Sequence, residues 1–511
     1  MSKIRIYVFY PPLLLIVCTI IFSQINNELF SSGITSINAF ILKYFGFLFS
    51  WSSFLFIILL AITYISPIAK IKIGGKNAQP LLSKPKWFSI SICTTIATGI
   101  LFWGCAEPLH HYVNPPIADV PIESSQSQSF AMSTMFMHWS FTPYAIYCVA
   151  GLVFALKFHN LKQKFSVSSI LSINQNKQPK IINTTVDVLC LYSLTLGMAA
   201  SLGAGIFSII GGLEKLFDLE KTNLLIGIVG FAIILSFIFS AISGLQKGIK
   251  WLSTINIIGF IALAFFIFIF SFPVEILKIA AAGLKEYVST FVPRSINYNS
   301  GINQQWQKDW SIFYWANWFA WAPLAALFLG SISKGYTVRQ YINFNLILPA
   351  LFAILWMTIF SGVTLHLNIL NDNLLFETMQ LKGEESVMYG VLNQLKSSAF
   401  TMPIIIVLIF LSYVTAADSN ISAMSEISEN KNNKSEASII VKIIWGLVIG
   451  ALTYIMLSTK GLDGIRILSV LGGFPALFII SFAGITLLRL VFNNKVITQY
   501  ENDVLDISEK E

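Results

Sequence analysis

Charge is the first thing this sequence lacks. Only 11% of its 511 residues are Asp, Glu, Lys or Arg, against about 25% in a soluble globular domain, so a water-soluble architecture is excluded. Cysteine is scarce as well. Cys18, Cys93, Cys105, Cys148 and Cys190 fall in or beside apolar stretches with no CxxC pair, which argues against a disulfide or thiolate-metal framework. The chain has no HExxH or comparable two-helix histidine pattern. That absence weighs against the rival reading, a haem- or metal-binding membrane enzyme using His110, His111 and His138, and no cofactor or covalent catalysis is expected. No basic block is dense enough to argue for nucleic acid.

What is present is apolar length. The chain is 55% hydrophobic with a mean hydropathy of +0.71. Runs long enough to span a bilayer, about 17 to 25 residues each, lie at 6–25, 44–66, 88–112, 130–158, 186–213, 224–243, 251–272, 310–332, 341–365, 401–425, 439–457 and 468–492. An all-α polytopic membrane protein of twelve spans is predicted. The first run lacks a small-residue cleavage site and exits through polar residues 24–28, so it reads as retained rather than as a signal peptide.

Loop charge sets an expected orientation. Lys70, Lys72, Lys76, Lys84 and Lys86 lie between spans 2 and 3, and Lys157, Lys162, Lys164, Lys177 and Lys180 between spans 4 and 5. The stretch 113–129 has no Lys or Arg and carries Asp119 and Glu123. Even-to-odd connections and both termini are therefore expected on the cytoplasmic side of a bacterial-type inner membrane.

Interruptions suggest organisation. Span 3 contains Gly99 and Glu107-Pro108, and span 8, some 215 residues later, is expected to break at Pro323. Two broken spans that open two groups of five imply repeats of opposite orientation. The expected division is 1–85 (two spans and a loop), 86–273 (first repeat), 274–292 (an amphipathic surface helix), 293–492 (second repeat) and 493–511 (a tail).

The tryptophans carry the functional signal. Trp315, Trp318 and Trp321 recur every three residues in span 8, which keeps them on adjoining parts of a helical face. At about 1.5 Å per residue from Asp309 and Trp310, Trp318 and Trp321 lie roughly 12 to 18 Å deep, too deep for an interfacial belt. Desolvated indole faces attract cations, quaternary ammonium above all. In span 4, Trp139 and Tyr147 are eight residues apart, with Pro143 expected to kink the helix between them. His138 reads as a hydrogen-bonded core histidine. Asp418, with Thr415 and Ser419, offers an ion site or a local hydrogen-bond network in span 10, and Glu107 a gating or paired carboxylate near the outer end of span 3.

These residues resemble the betaine/choline/carnitine transporters. The resemblance runs across all twelve spans and is strongest at 102–112, 138–147, 313–335 and 415–419. It implies a leucine-transporter-like core in spans 3 to 12, alternating access, a frequently homotrimeric assembly in membrane lipid, and a small zwitterionic or cationic substrate. Residue by residue, Trp139 and Tyr147 match cage aromatics and Tyr144 stands where sodium-coupled betaine carriers have another tryptophan. Trp318 matches the principal cage tryptophan, Trp321 a neighbour along the inward route, and Asn317 replaces a tryptophan, with Trp315 beside them. The glycine-rich stretch of sodium-dependent members reads Thr94-Thr-Ile-Ala-Thr-Gly99 here, and their Thr–Ser pair in span 10 becomes Thr415-Ala416. The arginine of sodium-independent exchangers is absent around Asn256.

The expected function is therefore secondary transport of a betaine-, choline- or carnitine-type solute; a carrier for another amine or sulfonate osmolyte is the alternative. The ion-coupling candidates are Thr98, Thr415, Asp418 and Ser419, with sodium dependence weak or replaced by a proton taken up at Asp418 or His138.

Overall fold

The computed structural model describes residues 3–95, 99–171, 179–243, 246–297, 300–395, 398–430 and 438–492. In chain order the helices are α1 (Ile6–Ile25), α2 (Asn27–Ile65), α3 (Lys84–Thr95), α4 (Gly99–Val113), α5 (Ser125–Trp139), α6 (Phe141–Ala155), α7 (Lys180–Phe217), α8 (Asn223–Ser243), α9 (Gln246–Phe270) and α10 (Pro273–Ile296). There follow α11 (Gln304–Gln307), α12 (Phe313–Ser331), α13 (Val338–Ile342), α14 (Leu348–Leu370), α15 (Leu374–Lys382), α16 (Ser386–Gln394), α17 (Ser398–Ser428), α18 (Ile439–Lys460) and α19 (Leu462–Phe492). The protein is an all-α polytopic membrane protein. The extended backbone in named strands is a two-residue antiparallel pairing of Lys3–Ile4 with Glu429–Asn430.

Among the described residues, ten helices are long and apolar enough to cross a membrane, or eleven if the α9–α10 pair, bent by 105°, counts as one. The third expected span covers α3 and α4, and the seventh lies in α9, ahead of the bend into α10. α2 begins well before residue 44, because the Asn26 side chain accepts from the Leu29 N–H at 3.0 Å and Glu28 occupies the first turn, which starts a helix there.

Proline does not break the chain where the sequence suggested. α12 runs unbroken through Pro323 and α4 through Pro108. The irregular turn of the eighth span lies earlier, at the wide π turn Lys308–Ile312. The fourth span bends at Ser140 (φ −103°, ψ −108°), so Pro143 falls in the first turn of α6, where its missing N–H leaves no helical bond unmade. Residues 274–292 lie within α10, whose buried stripe includes Ile276, Ile279, Ala280, Gly283 and Tyr287, while Leu277, Leu284 and Val288 are exposed.

Burial separates a core from a belt. α5, α6, α7 and α12 are enclosed by other helices, whereas α1 and α8 turn residues such as Leu14 and Phe239 outward, as a lipid-facing surface requires. α12 packs on α6, α7, α19 and α2. Its approach to α19 depends on Gly473, whose absent Cβ would collide with the carbonyl of Ala316.

Contacts between connections fall into two sets. At one end, residues 71–73 bond backbone to backbone with 335–338, Trp87 stacks on Tyr336 at 4.0 Å, and Arg5 pairs with Asp187 at 2.6 Å. At the other end, Ile117 bridges Ile302, His110 meets Glu384 at 3.2 Å, and Lys221 pairs with Glu385. The first set joins even-to-odd connections and the second odd-to-even ones. The same partition follows from loop charge.

Candidate functional site

α5, α6 and α12 bring the predicted aromatics into one buried cluster. Trp139 is the last residue of α5, and its indole stands 5.2 Å from that of Trp318 at 74°. Tyr147, across the Ser140 break on α6, stands 6.4 Å from Trp318 at 88°. Tyr144 is buried one turn before Tyr147, and Trp315 is buried edge-on to His138 at 5.6 Å. Tyr314, one turn before Trp318 on α12, completes the ring at 6.0 Å from Trp318 and 5.3 Å from Trp139. The sequence reading missed Tyr314. Its four-residue spacing from Trp318 was the signal that could have found it.

The ring is held from behind by Glu107. Its carboxyl is fully buried rather than placed at an interface: Trp139 Nε1 donates to Oε2 at 3.0 Å and Tyr314 O–H to the same oxygen at 2.5 Å. His138 Nδ1 lies 2.6 Å and His111 Nε2 3.2 Å from Oε1. The second nitrogen of each imidazole is engaged too, His138 Nε2 with Ser311 Oγ at 2.9 Å and His111 Nδ1 with the Trp306 N–H at 3.3 Å. Trp318 Nε1 donates to the His138 carbonyl at 3.1 Å. His138 is thus the hydrogen-bonded core histidine expected.

Glu107, His111 and His138 place ligand-type atoms within 4.8 Å of one another. Here these atoms are hydrogen-bonded to one another, and the outer imidazole nitrogens are engaged by Ser311 and Trp306.

On the side facing the 113–125 and 383–395 connections the ring is roofed by Trp103 and Trp310, over which the Arg466 guanidinium lies at 6.0 and 4.8 Å. Beyond them His110 bonds Glu384. Burial, the largest single influence, opposes ionisation of Glu384, but the His110 hydrogen bond, its own backbone N–H and the nearby Arg466 together hold the carboxyl below its usual range. Burial raises the neighbouring Glu385 against the pull of Lys221.

The remaining predicted residues do not join the ring. Asn317 is half-buried and accepts from Ser469 Oγ on α19 at 3.2 Å. Trp321 is half-buried, one turn further along α12, and lines a separate cleft with Met198, Ser201, Tyr413, Ala416 and Ala417. Thr415 Oγ1 bonds the carbonyls of Leu411 and Ser412 in its own helix, and Ser419 Oγ that of Thr415. Asp418, expected well inside the span, is half-buried, with Lys442 as its charged neighbour. Thr98 lies outside the described residues.

A family model for betaine/carnitine/choline family transporters matches residues 7–496. The chain is 28% identical over 434 residues to an ectoine/hydroxyectoine transporter of Virgibacillus pantothenticus, covering 84% of this chain and 85% of that one. It is 27% identical over 473 residues to the glycine betaine transporter OpuD of Bacillus subtilis, covering 92% and 91%. Against a high-affinity choline transport protein of Escherichia coli K12 it is 27% identical over 445 residues, 86% of this chain and 65% of the other.

Proposed function

The chain belongs to the betaine/carnitine/choline transporter family, and from that premise we propose that it carries a small quaternary-ammonium or related zwitterionic solute across the inner membrane by alternating access between two inverted five-helix repeats. The observation that carries the reading is the buried ring of Trp139, Tyr147, Tyr314 and Trp318. Such a ring offers electron-rich faces to a cation that sheds its water on entry, each desolvated contact contributing about 2 kcal/mol. With centroids 5 to 6 Å apart the rings pack on one another, so substrate enters as α12 and the α5–α6 pair separate. Trp321 and the cleft beside it extend the route toward the end of the molecule that carries the 66–87 and 333–345 connections. The lysines of those connections support a cytoplasmic assignment for that end and for both termini. A homotrimer in membrane lipid enters the proposal on the family resemblance.

Sodium coupling is weak in this reading. Thr415 is engaged by its own helix and Ala416 has no oxygen to offer, whereas a hard cation needs several. The relative that carries ectoine and hydroxyectoine supports the alternative of another amine-type osmolyte, and so does the amide of Asn317 where an indole would add an apolar face.

Uptake of labelled glycine betaine, choline, carnitine and ectoine into cells lacking their own carriers, with and without sodium, tests the reading. Saturable uptake of at least one methylated ammonium solute is expected. Uptake of ectoine alone favours the alternative, and uptake of none defeats both.

A further inference from the structure

The charge on Glu107 has no bonded cation. Indole N–H groups only donate, so the bond from Trp139 Nε1 to Oε2 marks that oxygen as an acceptor. By the same rule the Trp306 N–H makes His111 Nδ1 an acceptor, so the proton of His111 sits on Nε2 and points at Oε1. The charged carboxylate of Glu107 can only accept, so the proton of His138 faces it on Nδ1, 2.6 Å from Oε1, and in the neutral imidazole Nε2 then accepts from the Ser311 hydroxyl. Tyr314 supplies the fourth donor. With these protons in place both imidazoles and the phenol are neutral, and the cluster carries a single negative charge.

Among the described residues no lysine or arginine bonds to it. Arg294 on α10 is held by Ser133 and Thr134, and Arg466 on α19 bonds Asp463 and stacks over Trp103 and Trp310. A buried carboxylate without a fixed counter-ion is costly inside a membrane protein, and four donors offset only part of that cost.

Resting on the proposed function, the geometry assigns Glu107 as the fixed counter-charge of the transported cation, a positioning residue that acts through the rings without touching substrate. Two routes carry the effect. Across one indole the carboxylate attracts the ammonium directly, and at an effective dielectric near 20 that attraction is worth roughly thirtyfold in affinity. The bonds from Trp139 and Tyr314 also push electron density toward their ring faces, since hydrogen bonds to an anion polarise the donor. A carboxylate-bearing zwitterion gains less than a pure cation, because its own negative end is repelled. Glu107 therefore sets a preference for net positive charge.

The test compares three probes on the purified full chain: choline, glycine betaine, and the uncharged choline isostere in which a tert-butyl carbon replaces the ammonium nitrogen. Glu107→Gln is expected to weaken choline binding roughly thirtyfold, glycine betaine less, and the isostere under twofold. Equal weakening of choline and the isostere would make Glu107 a strut for the rings and overturn the assignment. Unchanged choline binding would overturn it as well, as would a protonated His138 that already cancels the charge. If Glu107→Gln does not fold, Glu107→Asp must keep the wild-type ratio of choline to isostere affinity within about threefold; a ratio that falls to one contradicts the assignment. Wild-type protein that binds neither ammonium probe defeats the functional reading itself, a result distinct from failure of the counter-charge.

Discussion

The ring around Glu107 and the polar stretch of α17 contain the same kinds of groups, carboxylate and hydroxyl, and use them in opposite ways. At Glu107, side chains from α4, α5 and α12 converge, and every polar atom named there finds a partner on another element or one turn away. On α17, Thr415 and Ser419 return their hydroxyls to carbonyls of their own helix, and Asp418 stands half-buried with Lys442 as its charged neighbour. Convergence from several elements pre-organises a site, whereas hydroxyls folded back on one helix leave nothing aimed at a ligand. The difference supports the proposal of recognition at the first region and of weak ion coupling at the second.

Five substitutions sharpen that contrast. Gly473→Leu should have the largest effect, loss of monodisperse protein on size-exclusion chromatography, because α19 could no longer lie against Ala316 and support α12. Tyr314→Phe removes one hydrogen bond to a buried charge, worth about 1.5 kcal/mol, and should raise the half-saturation of uptake about tenfold with normal expression. Asn317→Ala should change half-saturation less than about threefold, since its amide meets Ser469 and not the ring. Thr415→Ala and Asp418→Asn should alter the response to an imposed sodium gradient by no more than about twofold, and a larger loss in either would restore α17 as an ion site.

Much of this was legible in the sequence. The described parts of the apolar runs are helical because burial in lipid demands internally bonded backbone, though ten or eleven of the described helices pass as spans where twelve were expected, and the Trp139–Trp318 pair lies where aromatic spacing and the family resemblance pointed. The bend was misplaced, since Pro143 suits a first helical turn and the break fell one turn earlier at Ser140. Pro323 produced no break because neighbouring helices enclose α12 around it. The surroundings of Glu107 were only half visible. His111, four residues on, was within reach of the eye, but Tyr314 and Ser311 arrive from some two hundred residues away.

The central claim is that Trp318 and its partners hold the cationic end of the substrate. Equilibrium binding of labelled choline and glycine betaine to purified wild-type and Trp318→Leu protein, with melting temperatures recorded in parallel, tests it most directly. Loss of about 2 kcal/mol of cation–π attraction predicts roughly thirtyfold weaker binding of the better ligand with little change in melting temperature. Equal affinities in the two well-folded proteins would contradict the account.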